Sequence, residues 1–300
     1  MAPHPITGQE FASPVPPGTG WPDDPATSRT PVAADSAQVR ELAASAGLAQ
    51  IDARVSVCRA CPRLVQWRET TASTRRRSFE SEPYWGRPVA GWGDPRPRIV
   101  VVGLAPAAHG GNRTGRIFTG DRSGDWLFDA LFRAGLACRP TSLHAGDGQA
   151  LVDTRMMAAV RCAPPANRPT TVERDTCAPW LDAELAAVLP GIRCILALGG
   201  YGWDAALRSL RRLGVVVPAP RPRFGHAAEA RLRPDLTLIG SYHPSQQNTF
   251  TGRLTEPMLD TVLARARAVA GLGPWPADAD TPADTHADTP AGTPDDTRAP

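Results

Sequence analysis

The chain has 300 residues, 42% hydrophobic and 21% charged, which is a soluble globular profile; its 32 prolines and 27 glycines point to local irregular segments. All 33 basic residues are Arg, so any mechanism that needs a lysine side chain is excluded, Schiff-base formation by a lysine nucleophile and a phosphate-loop lysine among them. The formal charge of +3 is unevenly spread: residues 1–35 carry a net −3, residues 273–300 a net −5 and residues 36–272 a net +11, and a basic centre of that size favours a polyanionic partner.

Taken in order, residues 1–35 hold Pro14, Pro16, Pro17, Pro22, Pro25 and Pro31 without any apolar period, and are expected to be a disordered tail. Residues 36–272 are expected to form one domain. Within it, Arg98–Gly103 reads as a buried strand, followed after a Gly-rich loop by a helix over 124–136. A strand over 156–160, a helix over 172–188, a strand over 194–198 and a helix over 201–213 come next. The strand 236–241 and the helix 255–270 close the series. Four strands alternating with helices predict an α/β fold with one four-stranded parallel sheet covered on both faces. Ligands of such sheets bind outside the carboxyl ends of the strands, so the loops after Val102, Val160, Leu198 and Gly240 are where function is expected. Residues 273–300 repeat an acidic Asp-Thr-Pro-Ala theme and are expected to be a second disordered tail. The sequence shows no signal-peptide pattern and no apolar run of about 18 residues or more, so a cytoplasmic location without membrane attachment is expected.

Six cysteines occur, at 58, 61, 138, 162, 177 and 194. In a cytosolic chain they are read as thiols rather than disulfides. The Cys58-x-x-Cys61 spacing brings two thiolates within reach of one metal, and Cys162 and Cys177 are able to supply two more. Four soft ligands suit zinc or an iron-sulfur cluster, and the long second separation fits a cluster better than a zinc ribbon. Cys194 lies in an apolar strand and reads as a core residue.

Three strand-end loops carry unusual chemistry. The first runs from Gly103-Leu-Ala-Pro-Ala-Ala-His-Gly110 to Gly115-Arg-Ile-Phe-Thr-Gly-Asp121, the second is Cys162-Ala-Pro-Pro-Ala-Asn167, and the third runs His243-Pro-Ser245 through Asn248 to Thr251-Gly-Arg-Leu254. With these motifs residues 57–270 resemble the uracil-DNA glycosylase superfamily, most closely family 5, the type b enzymes of bacteria and archaea. The resemblance implies a three-layer α/β/α sandwich, a [4Fe-4S] cluster on Cys58, Cys61, Cys162 and Cys177, and hydrolysis of the N-glycosidic bond of uracil in DNA. Family 5 is apolar where relatives carry a carboxylate or amide in the first motif, as this chain is at Leu104 and Ala107. A recognition Asn of some families falls near Ala158 and is absent, and Gln246 replaces a frequent Pro.

The resemblance further implies that His243 hydrogen-bonds the departing base oxygen and that Phe118 stacks on the flipped ring. The backbone of Gly103, Ala105, Pro106 and Ala107 would read the base edge, while Ser245, Asn248 and Arg253 would contact DNA. Asp121 or Asn167 is expected to position water. Weak edge readout suggests tolerance of hypoxanthine, xanthine or ethenocytosine, in double- or single-stranded DNA, by a monomer. Without lysine the enzyme is expected to stop at the abasic site. Two other readings are open: a relative that traps the abasic product covalently, and a non-catalytic iron-sulfur DNA-binding or redox-sensing module.

Overall fold

The computed structural model describes residues 1–273, apart from Ser45, together with Trp275. The elements are β1 (Ala2–Pro3), β2 (Glu10–Phe11), α1 (Ser36–Ala44), α2 (Leu48–Ser56), α3 (Pro62–Thr74), β3 (Trp92–Gly93), β4 (Ile99–Gly103), α4 (Gly111–Thr114) and α5 (Arg122–Arg133). They continue with β5 (Thr154–Ala158), α6 (Thr171–Val188), β6 (Cys194–Leu198), α7 (Gly199–Arg212), β7 (Glu229–Arg233), β8 (Leu236–Ser241), α8 (Gln246–Phe250) and α9 (Glu256–Val269).

The central sheet has the order β3-β5-β4-β6-β8-β7. Its four middle strands are parallel and are the four expected. The expected count of four is corrected to six, because β3 and β7 add antiparallel edges. In β7 exposed and buried residues alternate along Glu229-Ala-Arg-Leu-Arg233, as a strand with one wet face requires. The middle strands β4, β5 and β6 are instead buried along their whole length, and β8 at every residue except the half-buried Thr237. Ile99 and Val101 join Leu127, Leu131 and Leu263 in a core under α5 and α9, whereas Val100 and Val102 join Leu181, Leu185 and Leu207 under α6 and α7. The result is three layers, α/β/α. Cys194 is fully buried in the first of these cores.

Local chemistry fixes the helix starts. Asp121 caps α5 by accepting from the Gly124 amide at 3.0 Å, and Thr170 and Glu173 form a reciprocal capping box at α6.

Residues 1–35, expected to be disordered, are folded onto the domain, which corrects that expectation. Phe11, Val15, Trp21, Ala26 and Ala33 are each at most 3% exposed. Asp24 accepts two hydrogen bonds from Arg87, at 2.8 and 3.0 Å, in a buried pair, and Asp23 pairs with Arg116. The anchors follow no period because each fills a separate gap in a surface built by other elements. The expected acidic tail at 273–300 lies outside the described residues except for Gly273 and Trp275. Among the described residues no helix is long and apolar enough to cross a membrane.

Candidate active site

The parallel strands run β5-β4-β6-β8 across the sheet, so the chain leaves β4 first to one side and later to the other. Such a reversal leaves a crevice at the carboxyl end of β4. Gly103 ends that strand, and the Phe118 ring lies against its bare backbone: a β-carbon at 103 would stand 2.6 Å from Phe118 Cζ. Phe118 is held at φ +55°, a conformation that costs a bulky residue energy and persists only where the surroundings enforce it.

His243 follows β8, and its ring centroid stands 5.9 Å from that of Phe118 at an interplanar angle of 38°. Desolvation by burial pushes its pKa down to about 4, so the imidazole is neutral near pH 7. The carbonyl of His243 accepts from the Asn248 side chain at 2.8 Å. Asn248, expected on DNA, therefore spends a side-chain donor on bracing the histidine. Ser245 opens α8 without a side-chain cap. The Arg253 guanidinium lies 4.5 Å from the Tyr242 ring centroid and its residue is exposed.

Asp121 closes the first loop. A β-carbon at Gly110 would come within 2.2 Å of its Oδ2, so only glycine leaves room for this carboxyl. Burial raises its pKa, while the capping amides of Gly124 and Ser123 hold it down. Ala105 and Ala107 are half-buried and Pro106 is buried in the same loop. Asn167 is exposed in the second loop, where it and Ala166 have φ of +55° and +52°. The structure thus brings Gly103, Phe118 and His243 together and places Asp121 at the far end of the same loop. Among the described residues the Asn167 side chain has no hydrogen bond to either.

A second constellation lies behind the site. Cys58, Cys61, Cys162 and Cys177 line one cavity with Arg68, Arg161 and Trp180. Arg68 donates to the Cys162 sulfur at 2.9 Å. Burial first, and then the neighbouring thiols, raises the pKa of Cys61 to about 12 and pushes Cys177 up as well. In Cys58 burial is again the leading cause of an upward shift. Among the described residues no three His, Cys, Asp or Glu side chains are gathered closely enough for a single metal ion. Cys138 stands apart, with its sulfur 3.0 Å from the Ala150 amide nitrogen.

Residues 90–267 match the family model described as the uracil DNA glycosylase superfamily. The chain belongs to the uracil-DNA glycosylase superfamily. It is 57% identical over 270 residues, 90% of this chain and 99% of the relative, to a type-5 uracil-DNA glycosylase of Mycobacterium tuberculosis. It is 48% identical over 218 residues, 73% of this chain and 96% of the relative, to a protein of the same name from Thermus thermophilus.

In this member of the uracil-DNA glycosylase superfamily the first loop is held by residues that motif reading passed over. Arg113, itself buried, donates to the carbonyls of His109 at 2.9 Å and Gly120 at 2.8 Å, pairs with Glu82 and covers the Phe79 ring at 3.9 Å. The buried Tyr84 hydroxyl lies 3.1 Å from His109 Nδ1. Neither Arg113, in a stretch read as a Gly-rich loop, nor Tyr84 gave a local signal of this role.

Proposed function

We infer that the protein is a monofunctional uracil-DNA glycosylase of base excision repair, which hydrolyses the N-glycosidic bond of uracil in DNA and leaves an abasic site. The observation that carries the reading is the pairing of Phe118 and a neutral His243 across the Gly103 strand end. A base must leave the duplex to reach such a crevice, at a cost of a few kcal/mol that is least for a mismatched base. There the Phe118 ring offers a stacking face. The loop from Gly103 to Ala107 offers backbone groups to the base edge, and no side-chain amide stands within it.

Breaking the bond places negative charge on the base and positive charge on the sugar. His243, being neutral, donates its N–H to the base oxygen, and that hydrogen bond strengthens as charge develops in a dry pocket. Asp121, raised by burial, is suited to accept a proton from the attacking water. Asn167 is the alternative positioning group. Arg253 beside Tyr242 and Ser245 at the start of α8 lie on the same edge and meet the DNA backbone, with Asn248 acting through His243.

Cys58, Cys61, Cys162 and Cys177 would hold a [4Fe-4S] cluster. The fit rests on the buried Cys162 and Cys177 and the half-buried Cys58 and Cys61 around one cavity, and on the Arg68 and Arg161 guanidinium groups beside them. Bound there, a cluster supplies iron-sulfur bonds that tie the start of α3, the loop after β5 and α6 together. Backbone readout without a recognition amide extends the substrate range to hypoxanthine, xanthine or ethenocytosine. The protein acts as a monomer in the cytoplasm, on double- or single-stranded DNA.

Single-turnover excision from a uracil-containing duplex tests the reading. His243→Ala should lower the rate by roughly a hundredfold or more, the loss typical of removing one such donor, and Phe118→Ala should also slow it. Wild-type rates in both variants would refute it.

A further inference from the structure

Arg68 lies in the middle of α3 and is 1% exposed. Its Nη1 donates to two acceptors at once, the Cys162 sulfur at 2.9 Å and the Cys58 carbonyl at 3.1 Å. Its Nε has no hydrogen-bond partner among the described residues. The nearest carboxylate, Glu69, is 3.7 Å from Nη2 and is already held by Arg59 at 2.5 and 3.2 Å. A buried guanidinium with so little anionic company is costly unless negative charge arrives beside it. The one feature at hand that supplies such charge is a set of metal-bound thiolates. Arg161, also 1% exposed, differs in having a carboxylate partner, Glu184 at 2.5 Å from its Nη2, but its Nε and Nη1 likewise have no hydrogen-bond partner among the described residues.

The other end of Arg68 reaches the base pocket. Its backbone carbonyl accepts from the Asn112 side chain at 3.2 Å, and the same Asn112 nitrogen lies 3.4 Å from the Ala108 carbonyl. The Asn112 backbone N–H donates to the Ala107 carbonyl at 3.1 Å. Asn112 is wholly buried. Cys162 and the turn at Ala107–Ala108 are therefore joined through two residues.

We propose that Arg68 is the positioning residue through which a cluster on Cys58, Cys61, Cys162 and Cys177 organises the base pocket. Its guanidinium balances the anionic sulfurs and pins this turn of α3 against Cys162, and its carbonyl, so fixed, holds Asn112 and the Ala107–Ala108 turn. The proposal rests on the cluster reading above. A positive charge beside the cluster favours the form with one more electron, so the same side chain raises the reduction potential.

The test uses the full chain purified without oxygen. Iron and sulfide at cluster stoichiometry in the wild type support the cluster reading, and protein without iron would refute that reading whatever Arg68 does. In cluster-containing Arg68→Met the ratio of reduced to oxidised cluster at fixed potential should fall about tenfold, equivalent to about 59 mV for one electron. Amide exchange over residues 107–112 should quicken, and kcat should fall more than KM changes. Arg68→Lys, which keeps the charge, should return the potential to the wild-type value. Asn112→Ala should lower kcat and quicken the same exchange while leaving the potential unmoved. A wild-type potential in Arg68→Met, or a lowered potential with unchanged exchange, overturns the proposal. If Arg68→Met does not fold, a lowered potential in Arg68→Lys or a shifted one in Asn112→Ala overturns it equally.

Discussion

The Phe118 ring occupies the space in which a side chain at Gly103 would stand, with Cζ 2.6 Å from the position of that missing β-carbon. The strand end and the aromatic face are thus one surface, and the absence of a side chain at 103 is what lets the ring approach. Gly103→Ala should displace the ring, at a stability cost of about 1–3 kcal/mol as in other overpacked sites. Uracil excision in single turnover should fall at least as far as in Phe118→Ala. An alanine variant with wild-type excision would separate the ring from the pocket.

Asp121 has two roles that different substitutions separate. Asp121→Ala removes the cap on the Gly124 amide, worth about 1 kcal/mol, together with the carboxyl. Asp121→Asn keeps an oxygen for that amide and removes only the acid. We expect Asp121→Asn to unfold at nearly the wild-type denaturant concentration and yet to excise slowly. Normal excision by Asp121→Asn would reduce Asp121 to a cap. Asn167→Ala, at an exposed loop position, should leave stability unchanged, and its excision rate decides whether Asn167 positions water.

The four parallel strands were legible because each carries a run of largely apolar residues covered on both faces, although β5 opens two residues earlier than its apolar run, at Thr154-Arg155, and the helices behind them because their apolar periods face one layer. The edge strand β3 has only two residues, too few for any period. In β7 the alternation of Glu229-Ala-Arg-Leu-Arg233 carried the signal, but its charged residues disguised it. The N-terminal segment was misread for a different reason. Composition describes an average, whereas Trp21 and the Asp24–Arg87 pair are single contacts made by the tertiary structure. In the site, Phe118 and His243 were legible as types in loops, but their pairing depends on β4 and β8 ending at the same edge. The bonding of Asn248 to its own loop needed coordinates.

The Asp24–Arg87 pair also gives a stability prediction. Both side chains are buried, at 4% and 7% exposure, and removing one partner of a buried pair leaves the other charge stranded, at about 3–5 kcal/mol. Asp24→Ala should lower the unfolding free energy by about that amount in urea titration. A change below about 1 kcal/mol, the range of exposed pairs, would show that residues 1–35 do not hold Arg87 in solution.

Acidification should destabilise the fold in a defined window. His243 and His4 have pKa values lowered from 6.5 to about 4, and His144 to about 3, all chiefly by desolvation. Their folded values lie below the unfolded one, so the unfolded chain takes up protons first. The stability they contribute is intact above pH 6.5 and is lost as pH falls through about 4 for His4 and His243 and about 3 for His144. Thermal midpoints should decline across that window, and excision should not rise on acidification through pH 6.5, because the donor is the neutral imidazole. A rate that climbed there would assign the work to the imidazolium.

Glycosylase activity shows itself most directly when the wild-type protein is incubated with a duplex holding one uracil and both the released base and the strand are analysed. The expected outcome is free uracil and an abasic strand that stays uncleaved, with no borohydride-trapped lysine adduct, since the chain has no lysine to form one. Tight DNA binding without release of base would contradict it and leave a non-catalytic DNA-binding module in its place.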